Sequence, residues 1–160
     1  MTEYSTIENP VDIYPYIDRI VENLRELDLK DVRAKTGQRL SVAEAIKICV
    51  DTADRVIMGL ADGEPAFICG VREPCLSVDF ASPWFLACHI LPLHRTRFLR
   101  ECRNYAQEFG KNYKVLGSLV LAENTDSIRW LEWMGFFVNK ERPVGIGAEK
   151  VEFYQVYWRG

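Results

Sequence analysis

The side chains best suited to bind an anion lie close together between residues 94 and 103. His94, Arg95, Arg97, Arg100 and Arg103 stand there, at the start of a predicted helix. A guanidinium group can pair with phosphate oxygens through two N–H donors at once. Cations at a helix N-terminus oppose the helix dipole, so this placement is unfavourable for stability alone. We therefore expect the first four of them to bind an anion or a partner. A solvated first helical turn is the alternative.

Candidates for acid–base or nucleophilic chemistry are fewer. Glu73 and Asp79 lie in a predicted loop before a buried strand, and Ser127 adds a hydroxyl farther along the chain. A general base must lie within hydrogen-bond reach of the proton it takes, and a loop beside a cleft can place one there. His89 lies in a predicted strand among apolar neighbours, which favours a structural core histidine over a base. The catalytic candidates are thus Glu73, Asp79 and Ser127.

The five cysteines indicate neither a disulfide framework nor a metal site. Their number is odd, no two have C-x-x-C spacing, and four lie among apolar neighbours. Zinc sites and secreted disulfide scaffolds use other spacings. We interpret the cysteines as reduced core residues, because a buried cysteine behaves as a small hydrophobe. No metal is expected.

Length and composition indicate one domain over residues 1–160. Hydrophobic residues make up 48% of the chain and charged residues 27%, as in ordinary globular proteins. No apolar run approaches the ~20 residues that span a bilayer, and the polar start is not that of a signal peptide. The net charge of −3 does not favour nucleic-acid binding. We expect a protein without a membrane span in a cytoplasm-like compartment.

Apolar spacing and capping signals divide the chain into short elements. Asn9-Pro10 is typical of a helix start, and Ser41 with Glu44 forms a capping box. The first predicted elements are a strand over 5–8, a helix over 10–27, a charged segment over 28–39 and a helix over 42–49. Since proline is tolerated only in the first turn of a helix, Pro15 offers a helix start near Tyr14 as the alternative. Strands over 56–58 and 65–71, joined by an Asp62-Gly63 turn, precede a loop over 72–82, with a short strand near Val78 as an alternative. The remaining elements are a strand over 84–91, a helix over 98–109 stopped by Gly110, a strand over 114–122, a helix over 127–134, and strands over 136–139 and 151–158 joined by a glycine-rich loop at 144–147. This order predicts an α/β (α+β) fold with a central, mostly antiparallel sheet and helices on both faces.

The segment from Glu123 to Phe136 resembles a signature of the GNAT acetyltransferase superfamily. The family pattern runs roughly E-N-x-x-A-I-x-L-Y-E-K-L-G-F between two strands. This chain matches it at Glu123, Asn124, Ile128, Glu132, Gly135 and Phe136. Asn124 can cap the helix, and Gly135 can end it in the left-handed conformation. The resemblance implies a GNAT-like fold and acetyl-CoA as the cofactor.

Two departures from the GNAT pattern bear on activity. GNAT enzymes hold the pyrophosphate of acetyl-CoA on a loop of the type [QR]-x-x-G-x-[GA], whereas residues 91–98 contain no glycine. Leu131 stands where many of these enzymes have a tyrosine that protonates the leaving thiolate, which leucine cannot do. The resemblance implies a cofactor site in which basic side chains replace the glycine loop, built from Leu91, His94, Arg95, Arg97, Arg100, Asn124 and Leu131.

A narrower resemblance covers somewhat under half of the chain. The block over residues 84–141, with the aromatic C-terminal strand, is similar to small GNAT-like internal virion proteins of short-tailed podophages. The shared features include the run from Asn124 to Leu131 and the arginine-rich helix start. This resemblance implies a bacteriophage protein with a phage or host protein partner, located in the virion or in the cytoplasm of the bacterial host.

Three functional hypotheses follow. The first is a GNAT-fold phage protein with degenerate or lost acetyl-CoA chemistry, which acts by binding in virion assembly or host takeover. The second is an active acyl-CoA-dependent N-acetyltransferase in which Arg95 and Arg97 bind the pyrophosphate. The third is a dimeric binding module that uses exposed aromatic residues of the last strand. The state of the cleft between the strands near residues 84–91 and 115–122 discriminates between these hypotheses. A closed cleft favours a protein without enzymatic activity.

Overall fold

Seven strands form one sheet in a computed structural model of the chain, which describes residues 2–73 and 80–159. The strands are β1 (Tyr4–Ile7), β2 (Arg55–Ala61), β3 (Glu64–Arg72), β4 (Phe80–Ala87), β5 (Val115–Leu121), β6 (Phe137–Ile146) and β7 (Val151–Arg159). Their order across the sheet is β1-β2-β3-β4-β5-β7-β6. Every neighbouring pair is antiparallel except β4 and β5. The predicted mixed, mostly antiparallel sheet is confirmed.

Helices cover both faces of the sheet, as predicted. They are α1 (Pro10–Ile13), α2 (Ile17–Asn23), α3 (Glu26–Thr36), α4 (Val42–Thr52), α5 (Arg95–Asn112) and α6 (Thr125–Met134). Because side chains alternate along a strand, Val56 and Met58 pack under α1, α2 and α4, whereas Ile57 packs under α5 and α6. In the part of the chain that the structure describes, no helix combines the length and apolarity needed to cross a membrane.

The predicted helix caps are confirmed. The Asn9 side chain accepts a hydrogen bond at the start of α1, and Asn124 does the same for α6. Ser41 and Glu44 form the predicted capping box of α4. Gly135 ends α6 with φ of 106°, a left-handed conformation that glycine adopts without strain.

The N-terminal helices differ from the prediction. The helix predicted over 10–27 is divided into α1, a 3-10 turn at Tyr14–Tyr16 and α2, because Pro15 lacks the N–H that a continuous helix needs. The charged segment over 28–39 lies largely in a further helix, α3. Its charges suit the helix dipole, with acids in the first turn and Arg33 and Lys35 in the last. Gly37 ends α3, as its stop signal indicates.

The predicted limits of β4 are wrong at both ends. The strand begins at Phe80, where it pairs with Val115, and ends at Ala87. Residues 74–79 lie outside the described part of the chain. His89 follows the strand and is exposed, so it is not a core histidine. Leu91 is buried and begins a 3-10 turn, Leu91–His94, that leads into α5.

Two predictions that were based on glycine residues differ from the structure. Gly110 does not stop α5, which continues to Asn112. A β-carbon on Gly110 would lie 1.8 Å from the Trp158 ring. Glycine at this position therefore leaves space for the Trp158 ring to pack against the helix and does not end the helix. The predicted loop at 144–147 is mostly strand, because β6 continues to Ile146 and only Gly147, with φ of 77°, lies in the turn.

The packing at Gly110 predicts that substitution by alanine destabilises the protein, the reverse of its usual effect within a helix. Gly→Ala within a helix normally stabilises a protein by up to ~1 kcal/mol. Here we expect Gly110→Ala to lower the free energy of unfolding by about 1–3 kcal/mol, because the methyl group overpacks against Trp158. Urea denaturation measures the change. In a Trp158→Leu background the same substitution should become neutral or stabilising. Stabilisation by Gly110→Ala in the natural background contradicts the assignment.

Candidate functional site

A cleft opens where β4 and β5 separate. These parallel strands pair only through Phe80 with Val115 and Ala81 with Leu116. Beyond Ala81, β4 continues to pair with β3, and β5 pairs with β7 along its full length. Neighbouring paired strands lie about 4.8 Å apart, so the loss of pairing opens the sheet itself. The sheet therefore opens between the strands near residues 84–91 and 115–122.

One edge of β4 faces this cleft. The Cys88 N–H donates to the Ala66 carbonyl, so the antiparallel alternation turns the backbone groups of Phe85 and Ala87 away from β3. At Ala87 these groups are occupied, because its N–H donates to Asp28 Oδ1 at 3.3 Å and its carbonyl accepts from Arg25 N–H at 3.1 Å. Phe85 therefore presents the β4 backbone to the cleft.

The cleft contains an apolar cavity of about 310 Å³. Ligand sites for small molecules begin near this size. Its walls come from both faces of the sheet: Val32, Leu40, Ile46 and Ile48 on the side of α3 and α4, and Cys102, Ala106, Phe109, Trp130 and Leu131 on the side of α5 and α6. An extended apolar chain can thus lie between the separated strands.

A basic pocket lies beside the cleft, between α5 and α6. Its volume is about 410 Å³, and it is lined by Arg95, Thr96, Leu99, Arg100, Arg129, Trp130 and Trp133. Arg95, Arg100 and Arg129 are exposed, and among residues 2–73 and 80–159 none of the three forms an ion pair. The start of α5 also has no side-chain cap. Unpaired guanidinium groups beside a helix N-terminus suit a phosphate ligand.

The structure divides the basic cluster at residues 94–103. Arg95 and Arg100 face the basic pocket, where Arg103 lies over the Trp133 ring at 4.9 Å. His94 and Arg97 face β1 instead. His94 Nδ1 forms a 2.9 Å hydrogen bond with the Tyr4 hydroxyl.

Arg97 lies over the same Tyr4 ring at 4.3 Å and pairs with Glu101 at 3.4 Å. The predicted pair of Arg95 and Arg97 is therefore not brought together. Arg129 on α6 completes the pocket in place of Arg97.

Only some of the other predicted site residues line the cleft. Asn124, Ser127 and Leu131 line the cleft, whereas Leu91 lies outside both cavities. Glu73 lies near the start of β2, where its N–H donates to Asp54 Oδ2 at 2.5 Å, beside the end at which β4 and β5 still pair. Asp79 lies outside the described residues.

Two carboxylates that the sequence analysis did not single out line the cleft, the buried Asp28 and the partly buried Asp31. Asp28 Oδ2 accepts from Arg25 Nε at 2.8 Å, and the same arginine reaches Ser127 Oγ at 3.4 Å. Burial raises the pKa of Asp28 above its ordinary value despite the nearby Arg25. Burial likewise raises the pKa of Asp31, which pairs with Lys35 at 2.9 Å. Their only sequence signal is the helical spacing to these basic partners.

The free thiols are not suited to nucleophilic chemistry. Cys69 and Cys88 are buried, and burial raises the pKa of each to about 12, so both remain protonated at neutral pH. Cys102 is also buried, Cys49 is half-buried, and Cys75 lies outside the described residues. Across residues 2–73 and 80–159, no three His, Cys, Asp or Glu side chains are grouped so as to hold a metal ion.

Comparison with known proteins identifies the fold. No protein-family model matches the sequence, and no curated protein matches it significantly. Among solved structures, an acetyltransferase of the GNAT family from Streptococcus pneumoniae is similar, with a TM-score of 0.64 and 17% identity over 98% of this chain and 99% of that chain. An N-acetyltransferase from Staphylococcus aureus has a TM-score of 0.64 and 12% identity over 99% and 97%.

A third similar structure is RimL, a ribosomal-protein alpha-N-acetyltransferase in complex with coenzyme A. It has a TM-score of 0.64 and 7% identity, with 99% of this chain and 93% of that chain covered. At such low identity the similarity establishes the GNAT fold alone.

The buried Asp28 predicts a specific pH dependence of stability. Because its pKa is raised in the folded state from 3.8 in the unfolded chain, its contribution is complete below that value and is lost as the pH rises through the folded pKa. Asp28→Asn cannot titrate. The free energy of unfolding of the natural protein minus that of the variant should therefore be largest in acid and fall towards neutral pH. Urea titrations from about pH 3.5 to 7 measure this difference. Asp31→Asn should follow the same course, whereas a difference that grows with pH contradicts the expectation.

Proposed function

We propose that this chain, which has the GNAT fold, binds an acyl-CoA with the pantetheine arm between β4 and β5. The observation that carries the proposal is the separation of these strands after Ala81, beside three arginines that form no ion pair within residues 2–73 and 80–159. A long apolar cleft and a cationic pocket are the two environments that a thioester of CoA requires. Its acyl-pantetheine part is extended and largely uncharged, and its nucleotide carries the phosphates.

The basic pocket supports the placement of the phosphates. Arg95 and Arg100 on α5 and Arg129 on α6 offer guanidinium groups where a glycine loop would offer backbone N–H groups. Trp133 is 48% exposed at the same pocket and provides a surface on which adenine can stack. The similar structure of RimL contains coenzyme A, which agrees with this assignment.

The transfer chemistry is the part that we propose to be lost or modified. In acyl transfer an amine nitrogen attacks the thioester carbon and loses a proton, the C–S bond breaks, and the thiolate takes up a proton. Leu131 lines the cleft and offers only a hydrocarbon side chain. The runner-up hypothesis is an active enzyme. In that enzyme the thiolate would take its proton from the amine or from solvent, because Leu131 cannot supply one. Incubation with acetyl-CoA and a panel of amines separates the two, since only the active enzyme releases CoA.

The narrower resemblance supports a biological setting. We propose that the protein acts in virion assembly or host takeover of a bacteriophage, with a phage or host protein as partner. The run from Asn124 to Leu131 carries this part of the proposal. The acyl-CoA site would then serve binding rather than turnover.

Calorimetric titration with coenzyme A tests the site. We expect an Arg100→Ala, Arg129→Ala double variant to bind at least about tenfold more weakly, since a hydrogen bond to a charged group contributes about 1.5–3 kcal/mol. The matched control is Arg97→Ala, which removes an arginine of the same helix that faces Tyr4. Its affinity should match that of the natural protein. Equal loss in the control, or no binding by the natural protein, contradicts the proposal.

A second candidate function is a dimeric binding module at the sheet edge. β6 is the last strand of the sheet, and Phe137 lies opposite Tyr157 on β7. These rings are 64% and 36% exposed, respectively, so they form an aromatic pair open to a partner.

Sedimentation velocity at several concentrations tests the dimer. If the aromatic pair forms the interface, the natural protein should dimerise with rising concentration and Phe137→Ser should stay monomeric. Val11→Ser removes an exposed apolar residue elsewhere and should leave dimerisation unchanged. A natural protein that is monomeric throughout contradicts this candidate.

A further inference from the structure

The indole ring of Trp130 lies between the two cavities. Its side chain lines both the apolar cleft and the basic pocket. The ring also contacts Phe85 of β4, with ring centroids 4.3 Å apart. Trp130 belongs to α6, which follows β5, and Phe85 belongs to β4, so this contact joins the two separated halves of the sheet on the face covered by α5 and α6. A ligand that extends from the basic pocket into the cleft therefore lies against the Trp130 ring, which lines both cavities.

The Trp130 indole nitrogen is a buried donor without an acceptor. The residue is 9% exposed, and Nε1 has no hydrogen-bond partner among the described residues. An indole N–H can only donate, and burying it unpaired costs free energy that a carbonyl acceptor would recover. Buried unpaired groups in native proteins are rare, and they call for a partner or a function.

We propose that Trp130 is a ligand-coupled gate whose N–H donates to an amide carbonyl of the pantetheine arm. This inference rests on the proposed acyl-CoA site. In this structure the ring packs against Phe85, and its N–H has no acceptor among the described residues. When the arm enters, the ring moves away from Phe85 and opens the way from the basic pocket into the cleft, and one of the two amides of the arm supplies the acceptor. Trp130 is thus a binding residue that responds to the pantetheine arm and not to the nucleotide.

Indole N–H resonances report this hydrogen bond directly. The chain has four tryptophans, so a ¹⁵N-labelled sample gives a small set of indole signals, and Trp130→Phe identifies the signal of Trp130 by its loss. The probes are coenzyme A, 4′-phosphopantetheine and adenosine 3′,5′-bisphosphate. We expect the Trp130 proton to move downfield with the first two and to stay in place with the bisphosphate. The Trp133 signal should move with coenzyme A and with the bisphosphate.

Affinities of the variants provide the second measurement. Trp130→Phe keeps an aromatic ring and removes the donor, so coenzyme A should bind about three- to tenfold more weakly, the range of one neutral hydrogen bond. Its affinity for the bisphosphate should fall clearly less, because the phenyl ring still lines the basic pocket and the bisphosphate has no pantetheine amide. Trp133→Phe is the matched control on the same helix and should weaken both ligands alike.

The outcomes separate this inference from the function on which it rests. If no ligand binds and no indole signal moves, the acyl-CoA site itself is absent. If coenzyme A binds but the Trp130 signal stays in place, or if Trp130→Phe weakens coenzyme A and the bisphosphate equally, the gate is refuted while the acyl-CoA site stands.

Discussion

Hydrogen bonding between β4 and β5 ends after two residue pairs, and the candidate site depends on that interruption. Each strand keeps its partner on the far side, so the sheet consists of two halves joined at one end. A strand edge left without partners is unfavourable, because buried backbone groups need hydrogen bonds. The edge of β4 must therefore be covered by another segment or by a ligand. Both the N-terminal contacts at Ala87 and the cleft beside Phe85 follow from the end of this pairing.

The covering segment is the junction between α2 and α3. The Arg25 N–H donates to the Ala87 carbonyl, and the His89 N–H donates to the Asn23 carbonyl. Asp28 completes the cover by accepting from the Ala87 N–H while it is paired with Arg25. The cost of burying this carboxylate is offset by the backbone groups that it satisfies.

Helix α3 also reaches the other half of the sheet. Lys30 pairs with Glu123 after β5, and Lys35 Nζ donates to the Leu119 carbonyl at 3.2 Å. One charged helix thus spans the open end of the cleft and is bonded to both of its sides. Helix α3 has little apolar surface of its own. Its contacts with both halves of the sheet provide the tertiary stabilisation that its own sequence does not.

Much of the fold could be predicted from local signals in the sequence. The caps at Asn9, Ser41 and Asn124 and the left-handed Gly135 involve residues within one helical turn, so neighbouring residues suffice to determine them. The alternation of strands and helices likewise predicted a mixed sheet covered on both faces. The basic cluster and its place at a helix start could also be predicted from the sequence. Its division between two faces of the helix follows from the period of 3.6 residues once the helix limits are known.

The tertiary structure decided which of these side chains meet. Arg129 joins Arg95 and Arg100 only because α6 packs beside α5, and Trp130 reaches Phe85 only because β4 and β5 part. The limits of β4, the burial of Asp28 and the glycine at position 110 depend likewise on distant partners. Local patterns in the sequence determined most of the elements and the helix caps, since those depend on interactions between near neighbours, whereas α3 and the limits of β4 were not predicted. The site was decided by tertiary structure, because it forms from hydrogen bonds and packing between segments far apart in the chain.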